Sequence, residues 1–180
     1  MNEKLFVGID VGSKGVITTQ YKGHFSHYYL EDLDLYQISD IMRDLSSKYD
    51  NISCVIEDVK AIFGSSAGAT FTFGFNKGYL IGLLAANNIP YTLVMAKEWQ
   101  KIWCNSDIVI EYKKVKIKDR KTKQMIETTR KTTNTKQTSY NAAKRLFPKM
   151  DFRKSERCKN FHDGLVDSLL MSEFARRNNL

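Results

Sequence analysis

The chain has 180 residues, 42% of them hydrophobic, and a net charge of +8, which suits one domain, or one with an embellishment, that can bury a real core. No stretch approaches the ~20 apolar residues of a membrane span, and the opening MNEKLFVGID does not read as a signal peptide, because its apolar run is short and ends in an acid. Cys54, Cys104 and Cys158 are odd in number and far apart, which argues against a disulfide scaffold or zinc knuckle and fits a reducing, cytoplasmic compartment.

Residues 4–10, KLFVGID, are a run of strand formers ending in Asp10. VGSKG follows as a turn, VITTQY as a second strand, Lys22–Gly23 as a tight turn and HFSHYYL as a third strand. Short turns imply an antiparallel meander. His24 and His27, three apart on a strand, face opposite sides and read as surface or edge residues, not metal ligands. Asp34–Lys48 is an amphipathic helix burying Leu35, Ile38, Ile41, Met42 and Leu45, with Asp32 or Asp34 as its cap. ISCVIED (52–58) is almost continuously apolar, as in a central strand, and alternation sends Glu57 and Asp58 to opposite sides.

KAIFGSSAG (60–68) is a loop of small residues. FTFGFNKGYLIGLLAAN forms a helix, although Gly74, Gly78 and Gly82 each cost roughly 1 kcal/mol relative to Ala. Spaced by four, they line one face and predict close backbone approach, within the monomer first and across a dimer interface next. Tyr91–Met95 is a fifth strand and Lys97–Trp103 a helical turn. IVIEYKKVKIKD and KQMIETTRK then read as two polar strands around a turn near Arg120–Lys123. Residues 113–136 hold ten Lys or Arg and two acids, 10 − 2 = +8, so the remainder of the chain is neutral. One basic segment on a neutral body points to a polyanionic partner met at one place; a solvated charged loop is the bland alternative.

Lys136–Phe147 is a helix stopped by Pro148. Phe161–Arg177 is the last, with Leu165, Leu169, Leu170 and Phe174 as its apolar face. Asp163 and Asp167 lie one turn apart near its start, with no Lys or Arg in the next turn to pair with them. Acids favoured by the helix dipole are the bland reading of this pair.

The elements run βββαβαβ, then an insertion, then helices: an α/β chain with a five-stranded mixed sheet. If strands one and four are neighbours, Asp10 and Glu57 converge, and a helix packed on that sheet brings Asp163 and Asp167 to them. Crowded carboxylates repel unless cations neutralise them. With no His/Cys ligand set, oxygen donors point to Mg²⁺ or Mn²⁺. Two such ions, about 3.5–4 Å apart, stabilise in-line attack on a phosphodiester.

VGIDVGSKG (7–15), VIEDV (55–59), AKEWQK (96–101), KQTSYNAAKRLFP (136–148) and HDGLVDSLLMSEFARR (162–177), in this order, resemble the RuvC-like Holliday junction resolvases of bacteria and phages. The resemblance implies one ribonuclease H-like nuclease domain over residues 1–180, its sheet flanked by helices and carrying a basic β-hairpin insertion at about 105–135. It implies a homodimer with two Mg²⁺ per site, in a bacterial cell or phage-infected host, that nicks four-way junctions symmetrically to 5′-phosphate and 3′-hydroxyl ends. It makes Asp10 the bridging ligand, Glu57 the ligand near the leaving oxygen and Asp167 the helix ligand. Many relatives carry an acid or His three residues before that aspartate; here the residue is Gly164. Asp163 is the favoured substitute, sharing a face with Asp167, and His162 is the other candidate. Relatives also carry an aromatic residue soon after the glutamate. This chain has Lys60 there and Phe63 later, the latter a base-stacking or a core residue. Lys14, Lys60, Ser65 and Ser66 are candidate phosphate contacts. Lys113, Lys114, Lys116, Lys118, Arg120, Lys121 and Lys123 are candidates on the insertion, which holds a duplex arm or, alternatively, a protein. The homodimer matches the face of Gly74, Gly78 and Gly82.

Three other readings compete. GIDVGSKG also resembles the first phosphate loop of actin/sugar-kinase ATPases, but these need two domain copies and a second phosphate loop, so no nucleotide cofactor is expected. A non-catalytic DNA-binding module would be missing a carboxylate. A flap nuclease or RNA/DNA-hybrid ribonuclease of the same fold stays open.

Overall fold

A computed structural model describes residues 3–12, 14–59, 66–118 and 124–180. Strands β1 (Leu5–Ile9), β2 (Val16–Tyr21) and β3 (His24–Tyr29) form the expected meander. Lys22 and Gly23 both take positive φ, 51° and 79°, the twist that suits a two-residue hairpin turn. Then follow α1 (Leu35–Lys48), β4 (Ile52–Glu57), α2 (Ala67–Ala86), β5 (Tyr91–Val94) and the short α3 (Ala96–Trp99). The chain ends in the ribbon β6 (Ile110–Lys118) and β7 (Met125–Thr133), then α4 (Thr135–Leu146) and α5 (Asp163–Asn178). The main sheet is ordered β3-β2-β1-β4-β5, with β4 parallel to both β1 and β5.

Strand alternation builds two cores. Leu5, Val7 and Ile9 of β1, with Cys54 and Ile56 of β4, pack with Met42 of α1 and with Leu80 and Leu84 of α2. Val55 packs on the other face with Trp99, Ala142, Leu169 and Leu170. Asp34, not Asp32, caps α1: it accepts from the Gln37 N–H at 2.8 Å while Gln37 accepts from the Asp34 N–H at 2.9 Å. Leu35, expected in the core, is 45% exposed, because it precedes the first inward-facing turn.

The last helix is buried more widely than a single apolar face. Val166, Met171 and Ala175 are as buried as Leu165 and Leu169, since α5 meets β1, β2 and β4 on one side and α4 on another. Gly8 makes this possible. A Cβ there would stand 2.0 Å from the Ser168 carbonyl oxygen and 2.5 Å from the Ser172 nitrogen. Gly8→Ala is therefore expected to destabilise the chain by roughly 3 kcal/mol, or roughly 6–12 °C in Tm at this size. An unchanged calorimetric Tm would contradict the close approach.

The expectation for the glycines of α2 needs correction. Among the described residues Gly74, Gly78 and Gly82 do not pack closely within the monomer: all three are solvent-exposed, and a Cβ on any of them would meet none of those residues within 4 Å. Helix α2 packs through its opposite face, Leu80 and Leu84. The outward stripe also carries Phe71, 75% exposed, and Phe75, 48% exposed. His24 and His27 both lie on the edge strand β3, as expected: His24 is exposed, and His27 is half-buried and hydrogen-bonded through Nδ1 to Thr18 Oγ1 at 3.1 Å. Burial pushes its pKa down to about 4.

The ribbon matches the two expected polar strands and is clamped at its root. Arg145 donates to both oxygens of Asp107 at 3.0 and 2.8 Å and to the Ile102 carbonyl at 3.1 Å. The Asn134 N–H bonds the Val109 carbonyl at 2.8 Å, and the Val109 N–H bonds Thr138 Oγ1 at 3.0 Å.

Candidate active site

Phe6 and Gly8 of β1 face α5, so the next residue in phase, Asp10, opens on that side. The parallel register pairs Ile9 with Ile56, which sets Asp10 beside Glu57. Asp58 falls on the opposite face and forms an ion pair with Lys77 of α2. Polar positions of β2 lock α5 in place: Thr18 Oγ1 lies 2.6 Å from Ser168 Oγ, and Gln20 donates to Glu173 at 3.4 Å. Asp167, one residue before Ser168, is thereby held over the end of β1.

The electrostatics follow from this convergence. Asp167 is pushed up to about 8, first by burial and then by the charge of Asp10; a hydrogen bond from Ser139 opposes the shift, and Glu57 and Asp163 add to it. Asp10 is pushed up to about 7 by burial. The Gly12 N–H, donating at 3.1 Å, opposes this, while Glu57 and Asp163 reinforce it. Burial also raises Glu57, against a hydrogen bond donated by Trp99 Nε1 at 3.3 Å. Asp163 forms an ion pair with Lys136 of α4. With Asp10, Gly12, Lys14 and His162 these two line an open cleft.

His162 is engaged as the N-cap of α5. Its Nδ1 accepts from the Leu165 N–H at 3.2 Å and its ring meets Tyr29 edge-on at 5.0 Å. Nε2 therefore carries the proton; it is buried without a hydrogen-bond partner among the described residues, 3.8 Å from Glu31. Burial lowers the pKa of this imidazole. Gly164 is required as glycine, because a Cβ there would stand 2.4 Å from the Lys14 carbonyl oxygen and 2.8 Å from Asp10 Oδ2. A carboxylate at that position has no room.

Lys60, Phe63, Ser65, Arg120, Lys121 and Lys123 fall outside the described residues. Ser66 caps α2, accepting from the Ala69 N–H at 3.2 Å. Lys113, Lys114 and Lys116 stand on the ribbon, and Lys118 is the last residue of β6. Trp99, Ser139 and Lys136, which touch Glu57, Asp167 and Asp163, are not among the site candidates that the sequence offers. Their shared signal is proximity to the acids across the fold, which spacing along the chain does not reveal.

Among the described residues no three His, Cys, Asp or Glu side chains stand close enough, in this conformation, to ligate one ion. The donor set nevertheless fits hard divalent cations: Asp10, Glu57 and Asp167 are all oxygen donors, all raised in pKa by burial, and the nearby cation Lys136 is engaged by Asp163. Carboxylates in that state gain from a shared cation.

No protein-family profile and no curated protein matches this sequence. Solved structures do. The chain is similar to Thermus thermophilus RuvC in complex with a Holliday junction substrate, with TM-score 0.51 and 9% identity over 97% of this chain and 96% of that one. It is also similar to Thermus thermophilus RuvC alone, with TM-score 0.50 and 8% identity over the same shares. The five-stranded mixed sheet between helical layers is a ribonuclease H-like fold.

Proposed function

We propose that this chain is a metal-dependent, structure-selective DNA endonuclease that resolves four-way junctions as a homodimer. The observation that carries the reading is the convergence of Asp10, Glu57 and Asp167 on one face of the sheet, with Asp163 at the rim. Similarity to a junction-bound RuvC supports the choice of substrate.

Asp10, Glu57, Asp167 and Asp163 are the residues that would hold two Mg²⁺ ions, with Mn²⁺ able to substitute. Such ions, when bound, stabilise charge on the attacking and leaving oxygens of a phosphodiester. The protein's own part is orientation. Gly12, Trp99 and Ser139 each give a hydrogen bond to one acid, Asp10, Glu57 and Asp167 respectively. Lys14 presents a cation at the cleft to a DNA phosphate. Hydrolysis breaks the P–O3′ bond and leaves 5′-phosphate and 3′-hydroxyl ends. The outward stripe of Gly74, Gly78 and Gly82, flanked by exposed Phe71 and Phe75, is the proposed contact between protomers.

The direct test incubates the protein with labelled four-way junction, flap, duplex and RNA/DNA hybrid, each with Mg²⁺ or with EDTA. Paired symmetric nicks in the junction, dependent on Mg²⁺, are the expected result. Cutting of the hybrid alone would replace the reading with a ribonuclease. A finer check concerns Trp99. Removing its indole N–H in Trp99→Phe is expected to lower cleavage roughly 10–100-fold and to raise the Mg²⁺ concentration needed for half-maximal rate. Unchanged Mg²⁺ dependence would mean that this hydrogen bond does not position Glu57.

A further inference from the structure

We propose that the β6–β7 ribbon enters the major groove of a DNA duplex arm, gripping both phosphate walls and touching base edges with an apolar pair near its far end. The proposal rests on the nuclease reading in taking DNA as the polyanion; the geometry is the ribbon's own.

Directly paired residues of a two-stranded ribbon share a face. On one face Tyr112 lies opposite Lys131, with Lys114 and Lys116 further along the same strand. On the other face Lys113 lies opposite Arg130. Cations therefore stand on both faces. An arm lying flat on a duplex meets phosphates with one face, whereas an arm inserted in a groove meets a backbone on each side. The major groove, about 12 Å wide, admits a two-stranded ribbon. Among the described residues the ribbon's one ion pair joins Lys113 to Glu111 at 2.7 Å, so Lys114, Lys131 and Arg130 keep their charge for a partner.

The apolar side chains point the same way. Ile117 and Ile126 are cross-strand partners, 45% and 41% exposed. The pair continues the face of Lys113 and Arg130, and the strong twist of a two-stranded ribbon turns that face from the phosphate wall toward the groove floor at the far end, where thymine methyls are the apolar feature. Nine-residue strands reach roughly 30 Å at 3.4 Å per residue, close to one turn of duplex. The root is rigid through Arg145 and Asp107. Strand β7 leads directly into α4, whose Lys136 and Ser139 touch Asp163 and Asp167. A duplex held by the arm is thereby anchored at the edge of the acidic cleft.

The test uses the full chain in EDTA, with fluorescence anisotropy on a labelled four-way junction and a linear duplex across a NaCl series. Three variants divide the ribbon: Lys114→Ala/Lys116→Ala/Lys131→Ala, Lys113→Ala/Arg130→Ala, and Ile117→Thr/Ile126→Thr. All seven side chains are exposed and threonine is a good strand former, so the variants are expected to fold, as their melting curves will report. Each cation set is expected to weaken binding roughly tenfold and to flatten the slope of log affinity against log salt by about one for each phosphate left without its cation. The isoleucine variant is expected to weaken binding with the salt slope unchanged. Guanine N7 atoms in one duplex arm should be protected from dimethyl sulfate by the parent chain. Weakening confined to one face, a silent isoleucine variant or unprotected N7 atoms would each overturn groove insertion. Because EDTA separates binding from cutting, binding as proposed without any Mg²⁺-dependent cleavage upholds the arm and sinks the nuclease reading. Junction cutting with silent ribbon variants does the reverse.

Discussion

Asp10→Asn is expected to lower junction cleavage on the order of 10³-fold or more, with junction affinity in EDTA unchanged. The substitution keeps the size of the side chain and removes its charge. Asp10 stands among the other acids: it feels Glu57 and Asp163, and it is the largest charge acting on Asp167. A group placed among all the others is the one whose loss cannot be shared out. Asp167→Asn is expected to behave alike, because Asp167 is the only acid of the group that α5 carries under cover of the sheet. Asp163→Asn is expected to cost less, since Asp163 lies nearer solvent and is already paired with Lys136. His162→Ala should act chiefly on stability, by removing the cap that accepts from the Leu165 N–H at a cost of about 1 kcal/mol. Full cleavage by Asp10→Asn would show that the four acids are not the catalytic centre.

The second large effect is on stability without metal. Asp10 and Asp167 titrate at about 7 and about 8 in the folded chain, against 3.8 for a free aspartate. With folded values raised, their contribution is fully present below the unfolded pKa and is lost as pH rises through 7 to 8. His27 acts in the opposite sense: its folded value of about 4 lies below the ordinary 6.5, so its effect is confined to pH below about 6.5. Between pH 6.5 and 8.5, then, the acids alone set the slope among these three groups. In EDTA the Tm is expected to fall across that window, and Mg²⁺ should abolish most of the fall by binding the folded state. Asp167→Asn should melt higher than the parent chain at pH 8 in EDTA, on the order of 2 kcal/mol or roughly 4–8 °C, and should lose the response to Mg²⁺. A parent chain whose Tm is flat over this window and indifferent to Mg²⁺ would contradict the crowding of these acids.

The same physics explains which features were legible in the residue string. Strand alternation is a local property, so the opposite facing of Glu57 and Asp58 could be read directly, and the structure has Asp58 paired with Lys77 on the far side. Turn chemistry at Lys22–Gly23 and the alternating ribbon strands were legible for the same reason. The glycine row of α2 was legible as a face but not as an environment. Spacing says which side chains stand together, while only packing says whether a helix, a sheet or solvent lies opposite them.

By itself, the sequence determined the order of elements, the acids at the ends of β1 and β4, the acid pair on the last helix and the concentration of charge between residues 113 and 136, because each is written in nearest-neighbour chemistry. Only the tertiary structure decided how they meet. The missing Cβ of Gly8 lets α5 lie against β1, and Ser168 bonding Thr18 fixes its position along β2. Gly164 leaves no room for an acid one turn earlier, Asp163 is drawn to Lys136, and His162 becomes a cap. These are meetings of residues far apart along the chain, or choices between adjacent side chains set by a few tenths of a nanometre, and no periodicity along the chain encodes them.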